Sequence, residues 1–189
     1  MDALSLLTGD HNRVRGLFAR FKTAKEAENT EEMTALGAKI FEELEAHTTI
    51  EEEIFYPAVR NLDEELGETV DEGVQEHHVV KVLMEEMAAI EPGSDDWVAK
   101  MTVLIENVEH HAEEEEQEMF PEVRSSSDAK TLEQLASQLE ARKAELGAPV
   151  TAQAIDLTKE ALLDLAREQE IPNRSTMSKE ELAATVDAR

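Results

Sequence analysis

The sequence predicts an all-α fold: an antiparallel up-down four-helix bundle with a fifth helix and a small C-terminal helical module. Three observations carry that expectation. The 189 residues include only 7 Gly and 5 Pro, and long runs of Ala, Leu, Glu and Lys favour helix. Apolar residues recur at steps of three and four through several long segments, which marks one face of a helix. The first 124 residues also repeat themselves, one pair of helical segments following another.

Residues 2 to about 27 read as the first helix, with Leu4, Leu7, His11, Val14, Phe18 and Phe21 on one face. The second runs from about 31 to 61, with an inward stripe of Ile40, Leu44, His47, Glu51, Ile54 and Ala58. The third covers about 69 to 90, with Val70, Val74, His77, Lys81, Met84 and Ala88 in phase, and Glu91-Pro92-Gly93 stops it. Ser94 caps the fourth, and Asp95 and Asp96 suit its positive N-terminal end. Met101, Leu104, Val108, His111 and Glu115 line that helix to about Phe120, where Pro121 and three serines break the pattern. Residues 129 to 146 read as a fifth helix, carrying Leu132, Leu135, Leu139 and Leu146.

The expected domains are a bundle over 1–146, a linker over 147–154 and a module over 155–189. In that module Thr158 starts a helix with Leu162, Leu163, Leu165 and Ala166, and Ile171-Pro172-Asn173 turns the chain. Ser178 with Glu181 makes a capping box for a last helix.

Composition excludes several chemistries. With 18 basic and 44 acidic residues the formal charge is −26, which repels phosphate backbones and anionic membranes. The absence of Cys rules out disulfides, thiolate catalysis, zinc-finger sites and thiolate-held iron–sulfur clusters. The start Met1-Asp2-Ala3-Leu4 lacks the features of a signal peptide, and no apolar run approaches the roughly 20 residues of a membrane span. A cytoplasmic location is the expectation.

The repeat carries the chemistry. His47-Thr-Thr-Ile-Glu51 with Pro57 and Arg60 aligns with His111-Ala-Glu-Glu-Glu115 with Pro121 and Arg124. Asp10-His11 followed by Val14 aligns with Glu76-His77 followed by Val80. Each helix pair thus supplies one His and then His-x-x-x-Glu, in which His and Glu share a helix face. A single inward His is commonly a satisfied core residue. Six buried imidazoles and carboxylates in a doubled pattern need a common partner, and a cation supplies it. The expected metal-ligating residues are therefore His11, His47, Glu51, His77, His111 and Glu115. His78 and His110 lie one position off the stripes and read as solvated. Imidazole and carboxylate without sulfur suit iron, zinc, manganese or copper. Six ligands in two halves suggest two ions, with Glu51 and Glu115 reaching across, and vacant coordination positions suit redox iron.

This pattern, with Glu-Glu-Ile-Phe-Tyr-Pro after the first His-x-x-x-Glu and Met-Phe-Pro ending the second copy, resembles the haemerythrin-like (HHE) cation-binding proteins over about residues 1 to 146. The resemblance implies two iron ions, bridged by an oxo or hydroxo group as well as by Glu51 and Glu115. It implies a non-haem diiron protein that binds or reacts with dioxygen, hydrogen peroxide or nitric oxide in handling oxidative or nitrosative stress. Turnover of catalase or peroxidase type would make it an oxidoreductase; the alternative is an oxygen or iron carrier, or a sensor, without turnover. Oxygen-carrying members of the family have a second His one turn after the third-helix His, where this chain has Lys81. That departure leaves one iron open to a small ligand or filled by a substitute. Glu52 and Tyr56 are near candidates that an ideal helix places poorly. Lys81 is the candidate catalytic residue, as a hydrogen-bond donor to bound peroxide, or else a snorkelling lysine at the core edge.

Residues 157–182 resemble the helix-extended-loop-helix modules at the N-terminus of the Rho transcription terminator and in SAP-type domains, which touch nucleic acid. Residues 151–189 hold five basic and eight acidic residues, a balance of −3. Nucleic-acid affinity rests on phosphate neutralisation, so protein docking or tethering is the favoured role over DNA contact.

Overall fold

The helices begin where short polar side chains satisfy the free N–H groups of a first turn. In the computed structural model α1 (Ala3–Glu26) starts at Asp2, whose carboxylate accepts from the Ser5 N–H at 2.8 Å. Asn29 caps α2 (Thr30–Ile50) by accepting from the Glu32 N–H at 3.1 Å. As expected, Ser94 caps α5 (Asp95–Glu114), accepting from the Trp97 N–H at 3.4 Å. Asp128 caps α7 (Ala129–Glu145), accepting from the Thr131 N–H at 2.7 Å. Caps of this kind contribute about 1 kcal/mol each. Between α4 (Glu64–Ala88) and α5, Gly93 takes φ +81°, and a Cβ there would stand 2.3 Å from the Thr30 side chain. The structure describes residues 2–62, 64–148, 159–169, 171–172, 174–177, 182 and 185–186.

Two π-helical segments set the register, and sequence periodicity did not foresee them. Glu51–Phe55 follows α2, and Glu115–Met119 follows α5. In each, the residue before a proline bonds five residues back: Tyr56 N–H to the Glu51 carbonyl, and Phe120 N–H to the Glu115 carbonyl. Pro57 and Pro121 lack an N–H, and their rings would meet the carbonyl four residues earlier in an α-helix. The widened turn accommodates them. The second helix therefore continues through α3 (Tyr56–Val59), and the fourth through α6 (Phe120–Ser126) rather than ending at Phe120. The extra residue also advances the buried stripe by one. Ala58 is exposed, while Phe55, Tyr56 and Val59 are buried, and Met119, Phe120 and Val123 match them in the other copy.

Two further positions depart from the expected stripes. Ala88 is exposed and Met87 is buried in its place. On α7, Leu146 is exposed at 39% and Lys143 is buried at 1%.

The hairpins α1/α2 and α4/α5, with their extensions, form the antiparallel bundle, and α7 packs on α1 and α2. Two apolar clusters fill the interior. One gathers Leu4, Leu7, Phe55, Tyr56, Val70 and Phe120 with Leu132, Leu135 and Leu139 of α7. The other holds Val14, Phe18, Phe21, Ile40, Leu44, Trp97 and Leu104. The buried polar residues lie between them as a layer. A third cluster, Leu162, Leu165, Ala166, Ile171, Leu182 and Val186, belongs to the C-terminal residues. Helix α8 (Lys159–Glu168) lies against α1, and Gln169 Nε2 donates to Asn12 Oδ1 at 3.1 Å. The expected capping pair Ser178 and Glu181, and Thr158, lie outside the described residues. Among the described residues, no helix is long and apolar enough to cross a membrane.

Candidate metal centre

The structure brings all six sequence-predicted side chains into one buried layer. His11, His47, Glu51 and Glu115 place a donor atom each within 4.8 Å of one another, and so do Glu51, His77 and His111. All six are buried, Glu51 completely. His78 and His110 point outward, as their phase requires.

Every imidazole turns Nε2 inward. His11 and His47 face each other at 3.1 Å, His77 and His111 at 3.0 Å. Glu51 Oε2 lies 3.1 Å from His47 Nε2 and 3.3 Å from His77 Nε2, so one oxygen touches both halves. Glu115 Oε2 lies 3.2 Å from His11 Nε2 and 3.8 Å from His111 Nε2, spanning them from the other side.

The outward Nδ1 atoms meet carboxylates. His11 Nδ1 lies 2.7 Å from Glu116, His77 Nδ1 3.0 Å from Glu52 and His111 Nδ1 2.7 Å from Glu76. His47 Nδ1 lies 3.8 Å from Asp10. The residue before each lone His (Asp10, Glu76) thus faces the His of its own hairpin. The residue after each inward Glu (Glu52, Glu116) reaches the lone His of the other hairpin. Such outer carboxylates fix the tautomer and aim Nε2 at a shared point.

Cations steady this outer ring. Lys81 Nζ donates to Glu52 at 2.6 Å, and Arg15, its equivalent in the repeat, donates to Glu116 at 2.8 Å. The Lys81 amine thus sits on the carboxylate behind His77. Lys143 of α7 donates to Asp10, as does Arg13 at 2.7 Å. Sequence reading missed Asp10, Glu76 and Glu116 as supports, although each is adjacent to a candidate ligand and paired across the repeat. Nothing in the sequence links Lys143 to Asp10, 133 residues away.

Tyr56 enters the layer because of the π turn. Its hydroxyl donates to Glu115 Oε1 at 2.9 Å and stands 3.4 and 3.5 Å from the Nε2 atoms of His77 and His111. Its ring stacks on His77 at 5.5 Å, as the ring of its counterpart Phe120 stacks on His11 at 6.0 Å.

The electrostatics fit a cation. Both Glu51 oxygens and Glu115 Oε2 are buried without a hydrogen-bond partner, an arrangement that is costly unless a positive charge answers it. Burial and the charge of Glu115 push the Glu51 carboxyl well up. Burial acts the same way on Glu115, but His111 and His11 outweigh it and hold that carboxyl well below the usual range. Burial disfavours a charged His11, yet Glu115 and Glu116 raise its pKa to about 10. Burial lowers His47 to about 4. Outside the layer, the hydrogen bond from His77, with Lys81 alongside, holds Glu52 down to about 2. A metal ion would compete with protons for the same lone pairs. Imidazole and carboxylate donors without sulfur fit a metal site.

Comparisons with known proteins agree. A curated relative, a DNA nickase of Nostoc sp., is 29% identical over 154 residues. The match covers 82% of this chain and 42% of the relative, so the chain spans less than half the relative's length. No solved structure matches the chain. The model of the hemerythrin HHE cation binding domain matches residues 2–123, and the chain belongs to that family.

Proposed function

We propose that this chain is a non-haem diiron protein that binds or reacts with dioxygen, hydrogen peroxide or nitric oxide. The carrying observation is the pair of donor sets that share Glu51. His11 and His47 would hold one iron and His77 and His111 the other, with Glu51 and Glu115 reaching both. Glu51 and Glu115 each contact imidazoles of both halves, as bridging carboxylates must. The Tyr56 hydroxyl, 3.4 and 3.5 Å from the Nε2 atoms of His77 and His111, is a further neutral oxygen beside the second pair. Iron held there would supply reversible one-electron chemistry.

The chain's own residues do the rest. Glu52, Glu76 and Glu116 hold imidazole protons at Nδ1 and orient Nε2. Lys81 acts through Glu52 as a positioning residue. Val14, Phe18, Leu44 and Val108 form an apolar wall beside His11 and His47, which excludes water and favours small ligands of low charge. Residues 1–146 form the metal-binding unit in this reading, and 155–189 a small docking module.

Addition of dioxygen, peroxide or nitric oxide to the reduced iron-loaded protein, followed by optical spectroscopy, tests this. Ligand-dependent absorption changes are expected with at least one of the three. Peroxide consumption with gas release means turnover, and a stable reversible oxygen colour means carriage. An inert spectrum with all three ends the reading.

The Nostoc relative's name favours a second reading, action on DNA. The charge of −26 weighs against it, since phosphate contacts need Lys and Arg. Nicking of supercoiled plasmid by the metal-loaded chain, abolished by Glu51→Ala, would establish it.

A further inference from the structure

The repeat relates the two halves of the centre, but they are not sealed alike. Leu7, four residues before His11, is fully buried. The equivalent position before His77 is Gly73. A Cβ there would stand 2.9 Å from the Tyr56 hydroxyl and 3.4 Å from His111 Cε1. Glycine inside a helix is disfavoured relative to alanine, so this gap is kept against helix preference.

The gap opens into a cavity of about 50 Å³ between α4 and the end of α5 with the π-helical turn that follows it. Glu72 and Glu118 line its exposed end, Glu76 and Glu114 its middle, His111 and Glu115 its buried end. Among the described residues lining it there is no lysine or arginine. At the buried end Glu115 is 2% exposed, and its Oε2 has no hydrogen-bond partner. Midway, Glu76 and Glu114 of the lining, with the exposed His110 beside the cleft, offer one donor atom each within 4.8 Å of one another.

We propose that this cleft is the route by which divalent metal ions enter the centre, with Glu76, His110 and Glu114 as their first resting place; the proposal rests on the metal-centre reading above. Carboxylates lining a narrow cleft with low-dielectric walls concentrate cations and speed their arrival. Oxygen donors at successive depths exchange for hydration waters one at a time. Glu76, which also bonds His111 Nδ1, joins this cluster to the imidazoles inside. A neutral or anionic ligand gains nothing from this lining.

Cobalt(II) uptake by the full chain, stripped with chelator and followed by visible absorption, tests the route. The variant Glu72→Gln/Glu114→Gln/Glu118→Gln should load about tenfold or more slowly at low ionic strength and reach the same final stoichiometry. Glu76 is left intact because it also positions His111. A control of equal charge change, Glu26→Gln/Glu31→Gln/Glu133→Gln, alters exposed acids elsewhere and should load at the wild-type rate. Equal rates in all three proteins, or equal slowing in both variants, overturn the route and leave the centre standing. Absence of cobalt binding by the unaltered chain overturns the centre itself.

Discussion

The two halves of the buried layer share one chemical plan and differ in enclosure. Around His11 and His47 the chain packs Leu7, Phe120 and the fifth helix, whose Lys143 is buried against Asp10. Around His77 and His111 it places Gly73, the Tyr56 hydroxyl and partly exposed Glu76. The added helices α7 and α8 both pack on the first hairpin's α1. Duplication explains the likeness; which half the later elements cover explains the difference. The first half is the more enclosed, and the second is the one that opens toward the outside.

The most severe way to break the layer is at the residue both halves share. Glu51→Gln should lose metal altogether or retain one equivalent with greatly weakened affinity. In the metal-free chain the same change should raise stability by about 1–3 kcal/mol, because it replaces a buried carboxylate whose oxygens lack partners. Metal analysis and chemical denaturation in chelator read the two effects. A metal-free variant that is less stable than its parent would show that Glu51 is satisfied without metal.

Lys143→Met tests the sealed half. It leaves Asp10 buried with Arg13 as its remaining cation, and should cost about 3 kcal/mol by urea denaturation. A compensating Asp10→Asn in the same chain should recover part of that loss. A loss under about 1 kcal/mol would mean that the fifth helix is not held to the centre through this pair.

Tyr56→Phe gives the open half the aromatic ring of the sealed one. Glu115 then loses its buried donor, at a cost of about 1.5–3 kcal/mol in the metal-free chain. Metal loading should reduce that cost. An equal cost with and without metal would show that the phenol serves Glu115 alone.

The smallest difference is between the two outer cations. Arg15 is 17% exposed and Lys81 41%, on carboxylates of similar exposure. Arg15→Met should cost about 1 kcal/mol and Lys81→Met less than about 0.5, since solvent screens the more exposed pair. The reverse order in paired denaturation curves would argue that the second half is the more enclosed.

The bundle and the six inward residues were legible because a doubled His-x-x-x-Glu at helical spacing leaves little else that buried imidazoles and carboxylates can do together. The outer carboxylates were legible only in principle: Asp10, Glu52, Glu76 and Glu116 occupy paired places in the repeat, yet each reads locally as one acid in an acidic surface. The π turns were not legible as register shifts. A stripe extrapolated at three-four spacing runs through Ala58, and only the prolines at 57 and 121 hint that the helix must widen first. An ideal helix therefore places Tyr56 badly, though the extra residue is what carries it to Glu115. Lys143 escaped for another reason. A lysine between Leu139 and Leu146 of the expected stripe reads as solvated, and its partner lies at the opposite end of the sequence.

Anaerobic ferrous titration of the chelator-stripped chain tests the central claim most directly. Melting temperature and iron content are followed together as iron is added. The shared Glu51 between two donor sets predicts a rise in melting temperature that levels off at two equivalents, with iron retained at that ratio after desalting. A plateau at one equivalent, or a melting temperature indifferent to iron, would contradict a two-ion centre in this layer.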